Sequence, residues 1–205
     1  VKVGGRSCVI SQTGFSGESG FEIYLRDATL YADDMWDAVL EAGKKHNLMV
    51  IAPAHHRRIQ AGILSWGQDL DHEHNPFQCN LGYQVSLSGK GEWEKKADYV
   101  GKDALEKMKA ELADGKKPYK LQLVGFELGG KPIDEYAPDF WLVSPEDGGD
   151  PCGFITSPWY HPEKGKNIAM GYIPFDGTLN ANGFPKWELG KKFKVHLPDI
   201  YAENP

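Results

Sequence analysis

The chain has 205 residues, 40% hydrophobic, 12% aromatic and 25% charged, a composition that supports a globular core in one large domain or two small ones. Its net charge of −6 disfavours a nucleic-acid-binding surface, and no apolar run reaches the length that crosses a bilayer, so neither a nucleic-acid nor a membrane partner is expected. The three cysteines, Cys8, Cys79 and Cys152, are too scattered for a metal pair or a disulfide framework and fit reduced thiols in a cytoplasmic protein.

The chain opens at Val1, without an initiator Met, in what reads as a strand, so a fragment of a longer protein is expected. Ser11 to Leu25 is its most informative stretch. Gly14, Gly17 and Gly20 let the backbone turn tightly and approach a ligand without a Cβ in the way. They feed Phe21-Glu22-Ile23-Tyr24-Leu25, whose alternation predicts a half-buried strand. Glu22 and Tyr24 share one face of that strand, and Phe21, Ile23 and Leu25 the other. A carboxylate and a phenol at the mouth of a glycine-rich turn suit a flat heterocycle: the acid accepts from ring N–H groups and the ring stacks. The competing reading is an ordinary hairpin with Glu22 in solvent.

Ala32 to Lys45 carries Met35, Trp36, Val39 and Leu40 at helical spacing, with Asp33 and Asp34 expected in its first turn and Lys44 and Lys45 in its last. Leu48 to Ala52 reads as a short buried strand stopped by Pro53. A second helix is predicted over Ala54 to Trp66, with Ile59, Ile63 and Leu64 inward and Gly62 where another backbone packs closely. Gly67 to Pro76 is polar and turn-rich, Leu81 to Leu87 alternates again, and Asp103 to Ala113 is an amphipathic helix with Leu105, Met108 and Leu112 on one side. The charged stretch Asp114 to Pro118 has linker composition. Beyond it, short strands over Leu121–Leu128, Phe140–Val143, Gly153–Ser157, Ile168–Ile173 and Lys192–Leu197 alternate with turn clusters. The expected fold is α+β: an α/β, ferredoxin-like sheet-and-helix domain over 1–117, then a small antiparallel β-barrel or sandwich over 118–205.

Asp69-Leu-Asp-His-Glu-His74 offers metal-ligating side chains, but without a recognised ligand spacing or a supporting cysteine pair, so a solvated acidic turn is expected and no metal. His55 and His56, ahead of Arg57 and Arg58, either present donors to an anion or form a charged surface face. Trp66 is a pocket wall or a core residue. The glycines do not make Gly-x-Gly-x-x-Gly and precede a strand rather than a helix, and no nucleophile elbow or P-loop appears.

Five blocks together resemble the glycine cleavage T-protein family, the tetrahydrofolate-dependent aminomethyltransferases and their demethylase relatives. They are Thr13–Tyr24, Arg58–Asp69, Asn75–Gly82, Tyr99–Leu105 and Lys166–Tyr172, in the family's order over nearly the whole chain. The resemblance implies a folate-binding protein whose later α/β core (1–117) and C-terminal β-domain (118–205) this chain supplies. The N-terminal half of the same protein is then a partner. Glu22 falls on the family glutamate that hydrogen-bonds the pterin, and Tyr24 on an aromatic used in the demethylase branch. With them, Phe21, Gly20, Trp66, Arg58 and His55 are the candidate tetrahydrofolate contacts. The family's catalytic acid lies in the earlier half, so no catalytic residue is assigned.

This sequence departs from the glycine-cleavage pattern. Ala54 and His55 stand where an Arg-Asp pair, its arginine contacting folate, precedes the second helix; Gln60 and Gln12 replace a glutamate and an arginine. The folate carboxylate contact would then fall to Arg57 or His55. The segments Asn47–Pro53 and Asn75–Cys79 look nearer to the dimethylsulfoniopropionate demethylase and aryl-methyl-ether demethylase relatives. The leading expectation is therefore a one-carbon transferase that takes a methyl or aminomethyl-derived carbon from a sulfonium, methyl ether or amine. The alternatives are the aminomethyltransferase of glycine cleavage, with a lipoyl carrier protein as partner, and a non-catalytic folate-binding scaffold.

Overall fold

The computed structural model describes residues 1–87, 98–137 and 139–201. The chain divides into two compact units, Val1–Ile63 and Leu64–Pro205.

In the first unit β1 (Lys2–Val3), β2 (Arg6–Ser11) and β3 (Glu22–Leu25) form an antiparallel meander. Its register sets Ser11 opposite Glu22 and Val9 opposite Tyr24 on one face, and Ile10 opposite Ile23 and Cys8 opposite Leu25 on the other. Helix α1 (Ala28–Gly43) packs on β3 and is tied to β2 through Arg6, which pairs with Asp34 at 2.5 Å and lies 3.8 Å from the Tyr31 ring centre. It starts earlier than the predicted Ala32, because Asp27 takes a left-handed φ of 56° and turns the chain directly from β3 into helix. Asp33 and Asp34 therefore lie beyond the first turn, and Lys44 and Lys45 pass into a following 3₁₀ turn, Lys44–His46.

Two further expectations fail here. Leu48 to Ala52 forms no strand, and Met49 and Ile51 are 77% and 76% exposed. An apolar run becomes a strand only where a neighbour takes its N–H and C=O groups, and the meander takes none of them. The second helix, α2, spans only His55–Gln60. Gly62 ends it in a left-handed conformation (φ 72°), with the Gly62 N–H donating to Ile59 O at 3.1 Å and the Ile63 N–H to Arg58 O at 2.8 Å. A Cβ at position 62 would meet open space, so this glycine caps the helix rather than admitting another backbone. Ile59 is buried as expected, yet the apolar side chains buried in this unit are only Cys8, Met35 and Ile59 among the described residues. The strand expected to be half-buried is accordingly open, with Ile23 and Tyr24 both exposed.

The second unit holds most of the core. Gly67 to Pro76 is a run of turns, and the alternating stretch 81–87 contains a 3₁₀ turn, Gly82–Gln84, instead of a strand. Helix α3 (Lys102–Ala113) buries Leu112, with Leu105 and Met108 beside it, against Phe77 and Phe175. The expected boundary at 117/118 falls in the connection from α3 to β4, inside this unit. All five predicted strands form: β4 (Leu121–Leu128), β5 (Trp141–Pro145), β6 (Gly153–His161), β7 (Lys166–Pro174) and β8 (Phe193–Val195). They pair antiparallel in the order β4-β7-β6-β5-β8 around a core that includes Val124, Trp141, Val143, Ile155, Ile173 and Tyr201. Phe126 on one edge strand and Phe193 on the other bring their ring centres within 6.3 Å. In a flat sheet, strands four places apart are roughly 19 Å apart, so this sheet curls strongly around its core. Its ladder leaves β4 and β8 unpaired with each other among the described residues, an open curled sheet where a barrel or sandwich was expected.

All three cysteines are free thiols. Among the described residues no helix is long and apolar enough to cross a membrane, and no three metal-ligating side chains converge.

Candidate functional site

The glycine-rich turn of the first unit folds back onto α2. Gly17 has φ 76°, and a Cβ there would lie 2.4 Å from the Cβ of Ala61, so only glycine lets the turn seat on the helix. Gly14 and Gly20 face open space. Glu18 reinforces the seat with an ion pair to Arg57 Nη1 at 3.1 Å. Where the turn rejoins the sheet, the Thr13 hydroxyl donates to Glu22 Oε2, and the Tyr24 hydroxyl donates to the same oxygen at 3.1 Å. Ser11 Oγ lies 3.0 Å from Thr13 Oγ1 and extends this row of hydroxyls. Glu22 and Tyr24 thus share a strand face, as their spacing predicts, and the carboxylate is held in one orientation. Both hydroxyls address Oε2, which leaves the accepting capacity of Oε1 intact among the described residues.

A cavity of about 360 Å³ opens on the helix side of the same turn. Its walls are Phe15 and Ser16 of the turn, residues 51–54, and His55, Arg57 and Arg58 of α2. Arg58 is only 1% exposed; its Nη1 donates to Ile63 O at 3.1 Å and its Nε reaches His55 Nδ1 at 3.4 Å. Its guanidinium also lies 5.7 Å from the Phe15 ring centre, so it supports the wall more than it faces outward. The structure therefore brings His55 and Arg58 together on the cavity and Glu22 and Tyr24 on the strand face. Glu22 does not line the cavity. Phe21 is 68% exposed and, by strand parity, lies on the face opposite Glu22. Gly20 ends the turn, and a Cβ there would meet open space.

Trp66 belongs to the second unit, where its ring is 62% exposed and sits edge-on to His72 at 4.9 Å, so it is not a core residue. The acidic turn beside it is only partly solvated. Asp69 is 1% exposed: its Oδ2 accepts from the Ser65 N–H at 2.8 Å, and its Oδ1 from the hydroxyls of Thr156 at 2.5 Å and Ser157 at 2.6 Å. Tyr172 donates to the Asp69 carbonyl at 2.6 Å and approaches Cys79 Sγ at 3.4 Å. Burial raises the Tyr172 phenol, together with its hydrogen bond to Cys79, and burial likewise raises the Cys79 thiol and the Tyr119 phenol. The reading of Asp69 as solvated is corrected: charge pattern alone hides hydroxyl donors that arrive from β6, far along the chain.

Sequence reasoning also missed Thr13, Glu18 and Phe15 as parts of the site. The signal available for Thr13 was a short hydroxyl side chain just ahead of a glycine turn that returns to an acid. Nothing local marks the Glu18–Arg57 pair, which joins residues 39 positions apart.

A solved structure of glycine cleavage system aminomethyltransferase T from Bartonella henselae matches with a TM-score of 0.55 at 24% identity, over 80% of this chain and 41% of that one. That likeness fixes the class: a mixed helix-and-strand fold of the aminomethyltransferase T type. Residues 1–89 match the family model described as the GCVT N-terminal domain. The aminomethyltransferase of Caldanaerobacter subterraneus subsp. tengcongensis is 31% identical over 208 residues, covering 100% of this chain and 50% of that protein. That of Clostridium botulinum (strain Okra / Type B1) is 33% identical over 175 residues, covering 84% and 42%. Across these matches the chain is similar to the glycine cleavage T-protein family. It spans about half the length of the curated relatives it matches.

Proposed function

We propose that this chain is the later, folate-binding part of a tetrahydrofolate-dependent one-carbon transferase, and that the carbon moved is an aminomethyl group. The observation that carries the folate reading is the Glu22 carboxylate, oriented by Thr13 and Tyr24 on an open strand face beside the glycine turn. A pteridine edge presents adjacent N–H donors, and a carboxylate with one oxygen already oriented is suited to accept them. The donor set therefore fits the ligand, with Tyr24 as the adjoining ring. The relatives above carry the name aminomethyltransferase, which favours that carbon over the sulfonium or ether donors of the demethylase branch. Tetrahydrofolate supplies the ring nitrogen that accepts the carbon. The residues here bind and orient it, and that positioning is itself catalytic, since holding two reactants in line removes much of the entropic barrier. The N-terminal half of the protein then provides the remaining chemistry, and a lipoyl carrier protein delivers the aminomethyl group. Residues 1–117 and 118–205 remain our division into folate core and β-domain.

Calorimetric titration of tetrahydrofolate into wild type and Glu22→Gln tests this. The substitution should weaken binding by roughly 1–3 kcal/mol, the cost of losing a charge-assisted hydrogen bond. Tyr24→Ala should cost less. Unchanged affinity in folded Glu22→Gln would overturn the pterin role. Turnover of a sulfonium or ether donor by the whole protein, without exchange from an aminomethyl-lipoyl carrier, would restore the demethylase reading.

A further inference from the structure

The second unit carries a cavity that the folate reading does not use. It has a volume of about 220 Å³ and lies where residues 77–83 meet residues 180–187. Phe77, Tyr83, Phe184 and Trp187 line it, together with Gly82, Pro185 and two asparagines, and none of these residues carries a formal charge. Ring quadrupoles attract positive charge, so four aromatic side chains around one small space, in a chain of net charge −6, suit a cation with an apolar skin. We propose that this cavity binds a small quaternary ammonium ion. A cavity of about 150 Å³ already admits benzene, so the space here is sufficient. Its lining holds no carboxylate, amine, imidazole or thiol, so the site binds its ligand and does not transfer a group from it.

The walls are set by the backbone. A Cβ at Gly82 would lie 2.8 Å from Phe77 Cδ1 and 2.9 Å from Phe184 Cδ1, so glycine lets both rings close over one point of the chain. Asn80 takes a left-handed φ of 60° and is fixed at both ends of its amide: Nδ2 donates to Leu123 O at 2.8 Å, and Oδ1 accepts from Gln122 Nε2 at 2.7 Å. Across the cavity, Asn180 Oδ1 accepts the N–H groups of Asn182 at 2.8 Å and Phe184 at 3.2 Å, which holds the turn that delivers Phe184 and Trp187. A site fixed in this way loses little freedom when a ligand enters. Packing accounts for three of the rings: Phe77 and Phe184 belong to the cluster around Leu112, and Trp187 packs on the core of the curled sheet. It does not account for Tyr83, which is 71% exposed at the cavity. A ligand would give that ring a partner.

The test is calorimetric titration of the full chain with choline and, separately, with 3,3-dimethyl-1-butanol, its neutral isostere. Choline should bind saturably and at least about tenfold more tightly than the alcohol, since only choline gains from the ring quadrupoles. Tyr83→Leu keeps apolar bulk and removes the ring, and should weaken choline about threefold or more while leaving the alcohol little changed; Tyr83→Phe should match wild type. Trp187→Leu should act in the same direction, with circular dichroism to check its fold. The exposed Tyr83 variants report on the site whether or not Trp187→Leu folds. Equal affinity for choline and the alcohol would make this a neutral apolar hole and overturn the proposal. It is overturned equally by the absence of saturable choline binding, or by choline affinity that survives Tyr83→Leu in full.

Discussion

Replacing Asp69 by alanine tests whether the loop after residue 64 is fastened by one buried carboxylate. The donors that converge on it include the Ser65 N–H and the Thr156 and Ser157 hydroxyls, at 2.5–2.8 Å. Hydrogen bonds to a charged acceptor contribute about 1.5–3 kcal/mol each, but the two hydroxyls can turn elsewhere once the acid is gone. Thr156 Oγ1 already lies 3.3 Å from Met170 O, whereas the Ser65 N–H is fixed by the backbone and cannot turn to another acceptor. The net loss should be about 3–5 kcal/mol, in the range for removing one member of a buried charged network. In a protein of this size that lowers the melting temperature by roughly 10 °C. Differential scanning calorimetry of Asp69→Ala, Thr156→Val and the double variant reads it directly. Coupling between the two sites should be about 1 kcal/mol or more, since they share a bond. A shift of only a degree or two for Asp69→Ala, or strictly additive singles, would refute the reasoning.

Gly17→Ala should strain the turn twice, through a left-handed backbone that costs an alanine about 1–2 kcal/mol and through contact with Ala61. Amide hydrogen exchange over residues 12–20 should then quicken at least about tenfold, while Gly14→Ala, which faces open space, stays near wild type. Stability should also fall in alkali. Burial holds the Cys79 thiol above its ordinary 9.0 and the Tyr119 and Tyr172 phenols above their ordinary 10.0. The folded state therefore keeps protons that the unfolded chain releases, so this contribution is complete below about pH 9 and shrinks as pH rises beyond it. A melting temperature that stays flat from pH 8 to 10.5 would contradict that burial.

The curled sheet was legible because each of its strands alternates or runs apolar between glycine, proline and aspartate punctuation, and the sheet supplies neighbours for every one. Leu48–Ala52 shows the same surface signal and fails, since a strand is a property of two segments and its sequence names only one. Gly62 illustrates a different ambiguity. Close packing and helix capping both call for glycine, and only the left-handed φ with its two returning hydrogen bonds decides between them. At the site, strand parity put Glu22 and Tyr24 on one face from spacing alone. The cavity was not readable, because Phe15, Pro53 and Arg57 meet only after the turn folds onto α2. Asp69 looked like a surface acid because its hydroxyl partners arrive from β6.

The seat of the glycine turn on α2 includes one tight glycine contact, one solvent-exposed ion pair and the Arg58 guanidinium 5.7 Å from the Phe15 ring centre, and exposed ion pairs contribute about 0–1 kcal/mol. Few greasy side chains lie beneath it. A ligand that bridges the turn and the helix would add to that fastening. Occupancy and heat resistance of the first 63 residues are then a single quantity viewed two ways: the melting point of that unit should climb with the logarithm of ligand concentration.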